Sequence, residues 1–265
     1  MTFDSTLPIE PQHNTTLFFI HALKTIFIVS LLIIITLFTI SFFIEQVADS
    51  IPIQWEQKMA KPLNRHLSAL SFDHPKVDQL QDLLDHLVAQ DPHFPYSKIK
   101  VIILDQDQEN AYASLGGQLM ITRKLLERAS SENEIAFILA HELGHHKYRH
   151  PLKSLGTTLL WSLLWSNVHE STVASGSISD LTMQSNSRAY EREADLYAAQ
   201  LIYRHYGHLA GIFEFFHRHQ KHQHWSDQWT SSHPLSTERI QKLKSLAQKS
   251  SWPTNGPISP WLYDE

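Results

Sequence analysis

From Thr25 to Ile44 the chain reads TIFIVSLLIIITLFTISFFI, 20 residues without a charge. As a helix rising 1.5 Å per residue it is about 30 Å long, the hydrocarbon thickness of a bilayer. It is apolar on every side, which predicts a membrane anchor at residues 25–44 rather than the one-sided stripe of a core helix. The run exceeds a signal-peptide core, which makes a cleaved signal peptide the weaker reading. Residues 1–16 are polar, with Pro8 and Pro11, and read as a flexible tail. The organisation expected is therefore a tail at 1–16, an anchor at 17–45, one folded domain at 46–248 and an irregular C-terminal stretch at 249–265.

Beyond the anchor the pattern becomes amphipathic. Val77, Leu80, Leu84, Leu87 and Val88 recur with a helical period over 75–90, with Pro75 suited to a first turn. Residues 99–104 (IKVIIL) and 118–122 read as strands, separated by a turn-rich stretch containing Gly116 and Gly117. Ser131-x-x-Glu134 is a capping box opening a helix through His145. Residues 155–168 form an apolar stretch too short for a span, expected to be a core or membrane-apposed helix. Residues 171–186 are Ser-rich and read as a loop. Asn186 or Ser187 can cap the next helix, which ends near Gly207. The last residues, with three prolines and Gly256, read as an irregular wrap or a disordered tail.

Composition narrows the chemistry. Hydrophobic residues at 42% and aromatics at 11% are too abundant for a disordered chain. A formal charge of −5 argues against nucleic acid as a partner. With Cys 0 there is no disulfide, no thiolate ligand and no cysteine nucleophile. Histidine stands out, at 18 against 22 Lys and Arg together. Any metal site must be built from imidazoles and carboxylates.

One stretch concentrates that chemistry: His141-Glu142-Leu143-Gly144-His145. Histidines four apart on a helix differ by about 40°, so both rings can reach one zinc ion. Glu142, rotated by about 100°, lies near the ion without having to bind it, and is placed to take a proton from a zinc-activated water. Ile135, Phe137, Ile138 and Leu139 bury the helix up to the histidines. Gly144 costs about 1 kcal/mol against alanine inside a helix, which implies close packing there. A catalytic zinc needs a third protein ligand. The helix after Ser187 offers Glu191, Glu193 and Asp195, of which Glu191 and Asp195 share a face and Glu193 points about 200° away. That face can supply one ligand and one carboxylate to orient an imidazole. His150 is about 180° from His141 on a continuous helix, hence a helix-end or surface residue. His217, His219, His222 and His224 read as a solvated helix face.

These motifs resemble the HtpX/BepA-type zinc metallopeptidases, related to the type I CaaX prenyl proteases. The resemblance runs from about Asn110 to Ile240. It rests on Asn110-Ala111-Tyr112-Ala113, Gly116-Gly117, a strand ending in Ile121-Thr122, the His141–His145 motif, Glu191-x-Glu193-Ala194-Asp195, and His233-Pro234 with Arg239-Ile240. It implies an α+β, mainly helical fold: a gluzincin-type metallopeptidase domain with a small sheet, behind one transmembrane helix. It makes Glu191 the third ligand of one zinc per chain, beside His141 and His145, with Asp195 behind it. It implies that the strand at 118–122 is the edge along which an extended polypeptide substrate lies. It also places the loop of His233 over the zinc, where His233 stabilises an oxyanion or occupies the open position at rest, and Arg239 contacts substrate or developing charge. Pro234 restricts His233 to extended backbone, as suits such a loop. Several HtpX-type members carry more spans than the single one seen here.

The function this predicts is a membrane-anchored zinc endopeptidase, with Glu142 as base, in membrane or envelope protein quality control. The alternatives are a catalytically silent zinc-binding chaperone or scaffold of the same fold, and a zinc-storage module. Glu142 favours the enzyme, since a storage site has no use for a base beside an open position. The location expected is the cell membrane, single-pass. Lys58, Lys61 and Arg65 after the span, against Lys24 before it, lean toward a cytoplasmic domain, although large domains translocate regardless of charge.

Overall fold

The computed structural model describes residues 15–156, 188–221, 232–234 and 236–261. The chain divides into two compact units, Met1–Ile44 and Glu45–Glu265. Helix α1, Thr15–Ser50, carries the apolar run. Within it Leu17–Ile40 has a mean hydropathy of 2.5 with 0% buried, and among the described residues it is the 1 helix long and apolar enough to cross a membrane. Thr25 and Thr39 turn their hydroxyls back onto carbonyls four residues earlier, at 2.9 and 2.8 Å, so these polar side chains are satisfied within the helix.

The second unit runs α2 (Ile53–Ala69), α3 (Val77–Ala89), β1 (Lys100–Leu104), β2 (Ala111–Ser114), β3 (Gln118–Thr122), α4 (Arg123–Arg128), α5 (Glu132–Lys147), α6 (Arg188–Tyr206), α7 (Ile212–Lys221) and α8 (Thr237–Lys249). The architecture is mainly helical with one small sheet, as expected. The sheet has the order β1-β3-β2, with β1 parallel and β2 antiparallel to β3. Alternation along the strands feeds two cores. Val101, Ile103, Leu119 and Ile121 face α3 and α5 in the main core, while Ile102, Leu104 and Met120 pack with Leu67 of α2 on the other side.

This order corrects the expectation that 118–122 is an edge. Strand β3 is central and buried at every position, flanked on both sides. The outer side of β1 is partly taken by the Ser71–Leu104 bridge and by Phe72 N–H donating to Ile103 O at 2.7 Å. The remaining edge is β2.

Helix α5 is the axis of the domain, buried from Asn133 to His146. Ser131 Oγ accepts from Glu134 N at 3.2 Å, as the capping box requires, while the Glu134 carboxylate accepts from Ser130 N and Oγ at 3.0 and 2.6 Å. A Cβ on Gly144 would lie 2.7 Å from Ala194 Cα and 3.0 Å from Ala194 O. The two helices therefore touch backbone to backbone at Gly144, and Ala194 sits beside Asp195 and one turn from Glu191. Gly144→Ala should push α6 away from the histidines, lowering stability by about 1–3 kcal/mol as overpacking does. A lowered melting temperature together with weakened metal uptake is the result expected; an unchanged melting curve would refute the packing argument.

Residues 250–261 wrap back over the domain. Ser259 O accepts from Glu132 N and Ser259 N donates to Asn133 Oδ1, both at 2.9 Å, and Trp252 stacks on Tyr203 at 4.5 Å. The expectations for the apolar stretch beyond Gly156, the Ser-rich loop and the Asn186 or Ser187 cap fall on 157–187, outside the described residues. Of the second histidine cluster, His217 and His219 lie on α7, while His222 and His224 are also outside the described residues.

Candidate metal centre

Helix α5 presents His141 and His145 on one face, and their Nε2 atoms are 3.1 Å apart. Helix α6, held close at Gly144, brings Glu191 against both: Oε2 lies 3.4 Å from His141 Nε2 and Oε1 3.5 Å from His145 Nε2. All three side chains are at most 2% exposed. An ion with tetrahedral ligands at about 2.0–2.1 Å requires ligand atoms roughly 3.3 Å apart. The three edges observed fit that requirement. The donors, two imidazoles and a carboxylate without a thiolate, suit a divalent transition ion such as zinc.

The loop before α8 adds a fourth side chain that could ligate a metal. His233 Nδ1 lies 3.2 Å from His141 Nε2 and 3.1 Å from Glu191 Oε1, and the four ligand atoms of His141, His145, Glu191 and His233 lie within 4.8 Å of one another. Ser232 anchors the loop by donating to Asn110 Oδ1 at 3.0 Å. Asn110, at the root of β2, was visible only as part of a motif; its position ties the loop to the sheet edge.

Glu142 is 1% exposed and stands outside this group. Its Oε1 is 3.4 Å from His233 Nε2 and makes no hydrogen bond among the described residues. A buried carboxylate oxygen left unsatisfied beside a ligand cluster is placed for a water or a substrate proton. Tyr112, Ala113, Glu142, His145, His150, Pro151, Ser232 and His233 line the cleft at this point. Strand β2 thus borders it. Thr122 N–H bonds Asn110 O at 2.9 Å, so alternation turns Tyr112 and Ser114 toward β3, and the Ala111 and Ala113 backbones outward. Ala111 N–H is taken by Asn110 Oδ1 at 2.9 Å.

Behind the ligands lies a charged frame. His141 Nδ1 is 3.1 Å from Asp195 Oδ1, which orients that ring. Arg239 grips Asp195 with Nε and Nη2 at 2.6 and 2.7 Å, reaches Glu191 Oε2 with Nη1 at 2.9 Å, and donates to the carbonyls of Pro234 and His233 at 3.1 and 3.3 Å. Burial opposes ionisation of Asp195, but Arg239 and then His141 hold its carboxyl below the usual range. For His141, burial pulls the other way as well, yet Asp195 and Glu191 push its pKa up to about 9. Arg239 is 4% exposed and faces carboxylates and carbonyls.

His150 departs from expectation. Helix α5 ends at Lys147, and Arg149 has a φ of 58°, after which 150–156 are helical again. The break re-aims the chain, so His150 is 0% exposed rather than a surface residue. The left-handed Arg149 is fixed by Glu56, whose Oε2 accepts from Arg149 Nη2 at 2.8 Å and whose Oε1 accepts from Tyr96 OH at 2.6 Å and Gly116 N at 3.0 Å. Strain of this kind persists where the surroundings over-determine it.

A histidine pair on a buried helix, a carboxylate between them, and a second helix supplying a third candidate ligand make the arrangement of a metal-dependent peptidase of the His-Glu-x-x-His type. The model of Peptidase family M48 matches residues 75–247, and the chain belongs to that family. It is of the HtpX/BepA-like kind. Among curated proteins it is similar to the Beta-barrel assembly-enhancing protease of Yersinia pestis, 26% identical over 91 residues, which are 34% of this chain. The matched segment spans only 18% of that relative's length.

Proposed function

We propose that the protein is a membrane-anchored zinc endopeptidase holding one zinc per chain on His141, His145 and Glu191. The observation that carries this is the convergence of those three side chains, the imidazole Nε2 atoms 3.1 Å apart and one Glu191 oxygen 3.4 or 3.5 Å from each, with the unsatisfied Oε1 of Glu142 beside them. Bound zinc would supply Lewis acidity to the scissile carbonyl and the attacking water. Glu142 accepts the proton of that water and returns it to the leaving amine. His233 Nδ1 stands where water must enter, which supports its role as the resting-state occupant of the open position and requires it to swing aside for substrate. Arg239 acts by holding Glu191 and Asp195 in place. The peptide lies extended along β2, with Ala113 as the outward backbone position that lines the cleft, so that recognition through the main chain tolerates varied side chains.

The anchor is residues 25–44. Helix α2 follows α1 after two residues and exposes Trp55 and Met59, beside Lys58 and Lys61, a composition suited to a membrane surface. A peptidase at a membrane that reads backbone rather than side chains fits quality control of membrane or envelope proteins, and the similar protein from Yersinia pestis is named for enhancing β-barrel assembly.

The ligand assignment separates two nearby carboxylates. Purified full-length chain in detergent should contain about one zinc. Glu191→Ala should lose most of that zinc and its hydrolysis of an unfolded protein. Glu193→Ala should retain far more of the metal, because Glu193 Oε2 meets His150 at 3.0 Å rather than the ligand cluster and can act on the metal only through that ring. Metal analysis giving the reverse order would overturn the site. Zinc at one per chain without hydrolysis of any unfolded protein would instead favour the silent scaffold.

A further inference from the structure

His145 has a partner that the mechanism above does not use. Its Nδ1 lies 3.0 Å from Nδ1 of His150, and Nε2 of His150 lies 3.0 Å from Glu193 Oε2. His150 stacks on Tyr190 with centroids 4.0 Å apart and planes at 9°, so its ring is fixed in position and orientation. Three groups thus form a chain from the ligand cluster to Glu193, whose side chain is 51% exposed.

We infer that His150 is a positioning residue that selects the metal-binding tautomer of His145, with Glu193 selecting the tautomer of His150. The inference rests on the reading of His141, His145 and Glu191 as the zinc ligands. For a neutral His150 ring the proton count leaves one solution. Glu193 can only accept when ionised, so His150 carries its hydrogen on Nε2. Nδ1 of His150 is then a lone pair, and it can only receive a hydrogen from Nδ1 of His145. With its hydrogen on Nδ1, His145 presents an unprotonated Nε2 to the ligand cluster, as a metal requires. The opposite tautomer of His150 would leave a hydrogen on His145 Nε2 and block binding.

The two ligand histidines are therefore held by different means. His141 is backed directly by Asp195, whose charge Arg239 neutralises. His145 is backed by a neutral imidazole, with the carboxylate one ring further out. Glu142 and Glu191 already place two carboxylates around this ligand, both at most 2% exposed, and a third one directly behind His145 would add to that charge. Routing the contact through His150 moves the charge to the surface. The left-handed Arg149, locked by Glu56, is what aims His150 inward.

The test uses the full chain in detergent micelles with zinc alone as ligand. Affinity is read by competition with a chromophoric chelator, and melting of the zinc-free protein controls for folding. In His150→Asn, Oδ1 replaces the Nδ1 acceptor, so affinity should stay near wild type. In His150→Gln the polar group lies further out, toward Glu193, and affinity should fall by about 10–100-fold, as when a partner behind a ligand is lost. Nitrogen NMR of zinc-loaded wild type should show His150 with hydrogen on Nε2, a readout independent of whether the variants fold. Equal affinities for the Asn and Gln variants, or a hydrogen on Nδ1 of His150, would overturn the inference. Failure of wild type to take up zinc would instead overturn the ligand reading on which it rests.

Discussion

Glu142→Gln should lower hydrolysis of an unfolded protein by roughly 10²–10⁴-fold, the range for loss of a general base. Zinc content and melting temperature should stay those of wild type. The structure separates these effects because Glu142 is not one of the converging ligand atoms. Glutamine matches glutamate in shape, so α5 keeps its packing at a position that is 1% exposed. What it removes is the capacity to hold a proton. Oε1 of Glu142 makes no hydrogen bond among the described residues, and the His233 ring stands 3.4 Å away. The amide therefore breaks no structural bond at that atom. Turnover of the variant equal to wild type, at equal zinc content, would remove Glu142 from the chemistry. Loss of zinc in the variant would instead show that it is a ligand.

Periodicity made much of this fold readable. The apolar helix α1, α3, β1, β3 and α5 each carry a repeat or a run strong enough to be seen one residue at a time. The His141–His145 spacing puts both imidazoles on one face of α5, and the cost of Gly144 points to the crossing with Ala194. Strand β2 was missed because Ala111–Ser114 is 4 residues of small and aromatic character without alternation. Which strand is the edge was beyond sequence altogether: β3 pairs with both its neighbours, and strand order depends on contacts that no local pattern encodes.

His150 failed for a different reason. The angle of 180° from His141 presumed a continuous helix, and the helix stops at Lys147. A signal was present. Proline clashes with the carbonyl four residues back in a helix interior but suits a first turn. Pro151 therefore marks a new helix opening at His150, not the tail of the old one. Arg239 was legible as a site residue, yet its partners were not, because substrate and buried carboxylate attract a guanidinium equally well.

Arg239→Met should be the most destabilising of the substitutions considered. Its guanidinium is the cation paired with two carboxylates, Asp195 and Glu191, each 2% exposed. Removing it leaves both charges buried with fewer counter-charges, and breaking such a pair costs about 3–5 kcal/mol. For a chain of this size that corresponds to a fall in melting temperature of roughly 6–20 °C. The carbonyls of His233 and Pro234 lose their donor as well, so the loop that closes the cleft should loosen. Arg239→Lys keeps the charge but cannot make the forked contact to Asp195 with Nε and Nη2, so an intermediate fall is expected. Added zinc, itself a counter-charge for Glu191, should recover part of the loss by mass action, provided binding persists. This profile separates a frame residue from one that touches substrate. A substrate contact would change KM while leaving the melting curve of the zinc-free protein in place, and that outcome would reassign Arg239 to the peptide.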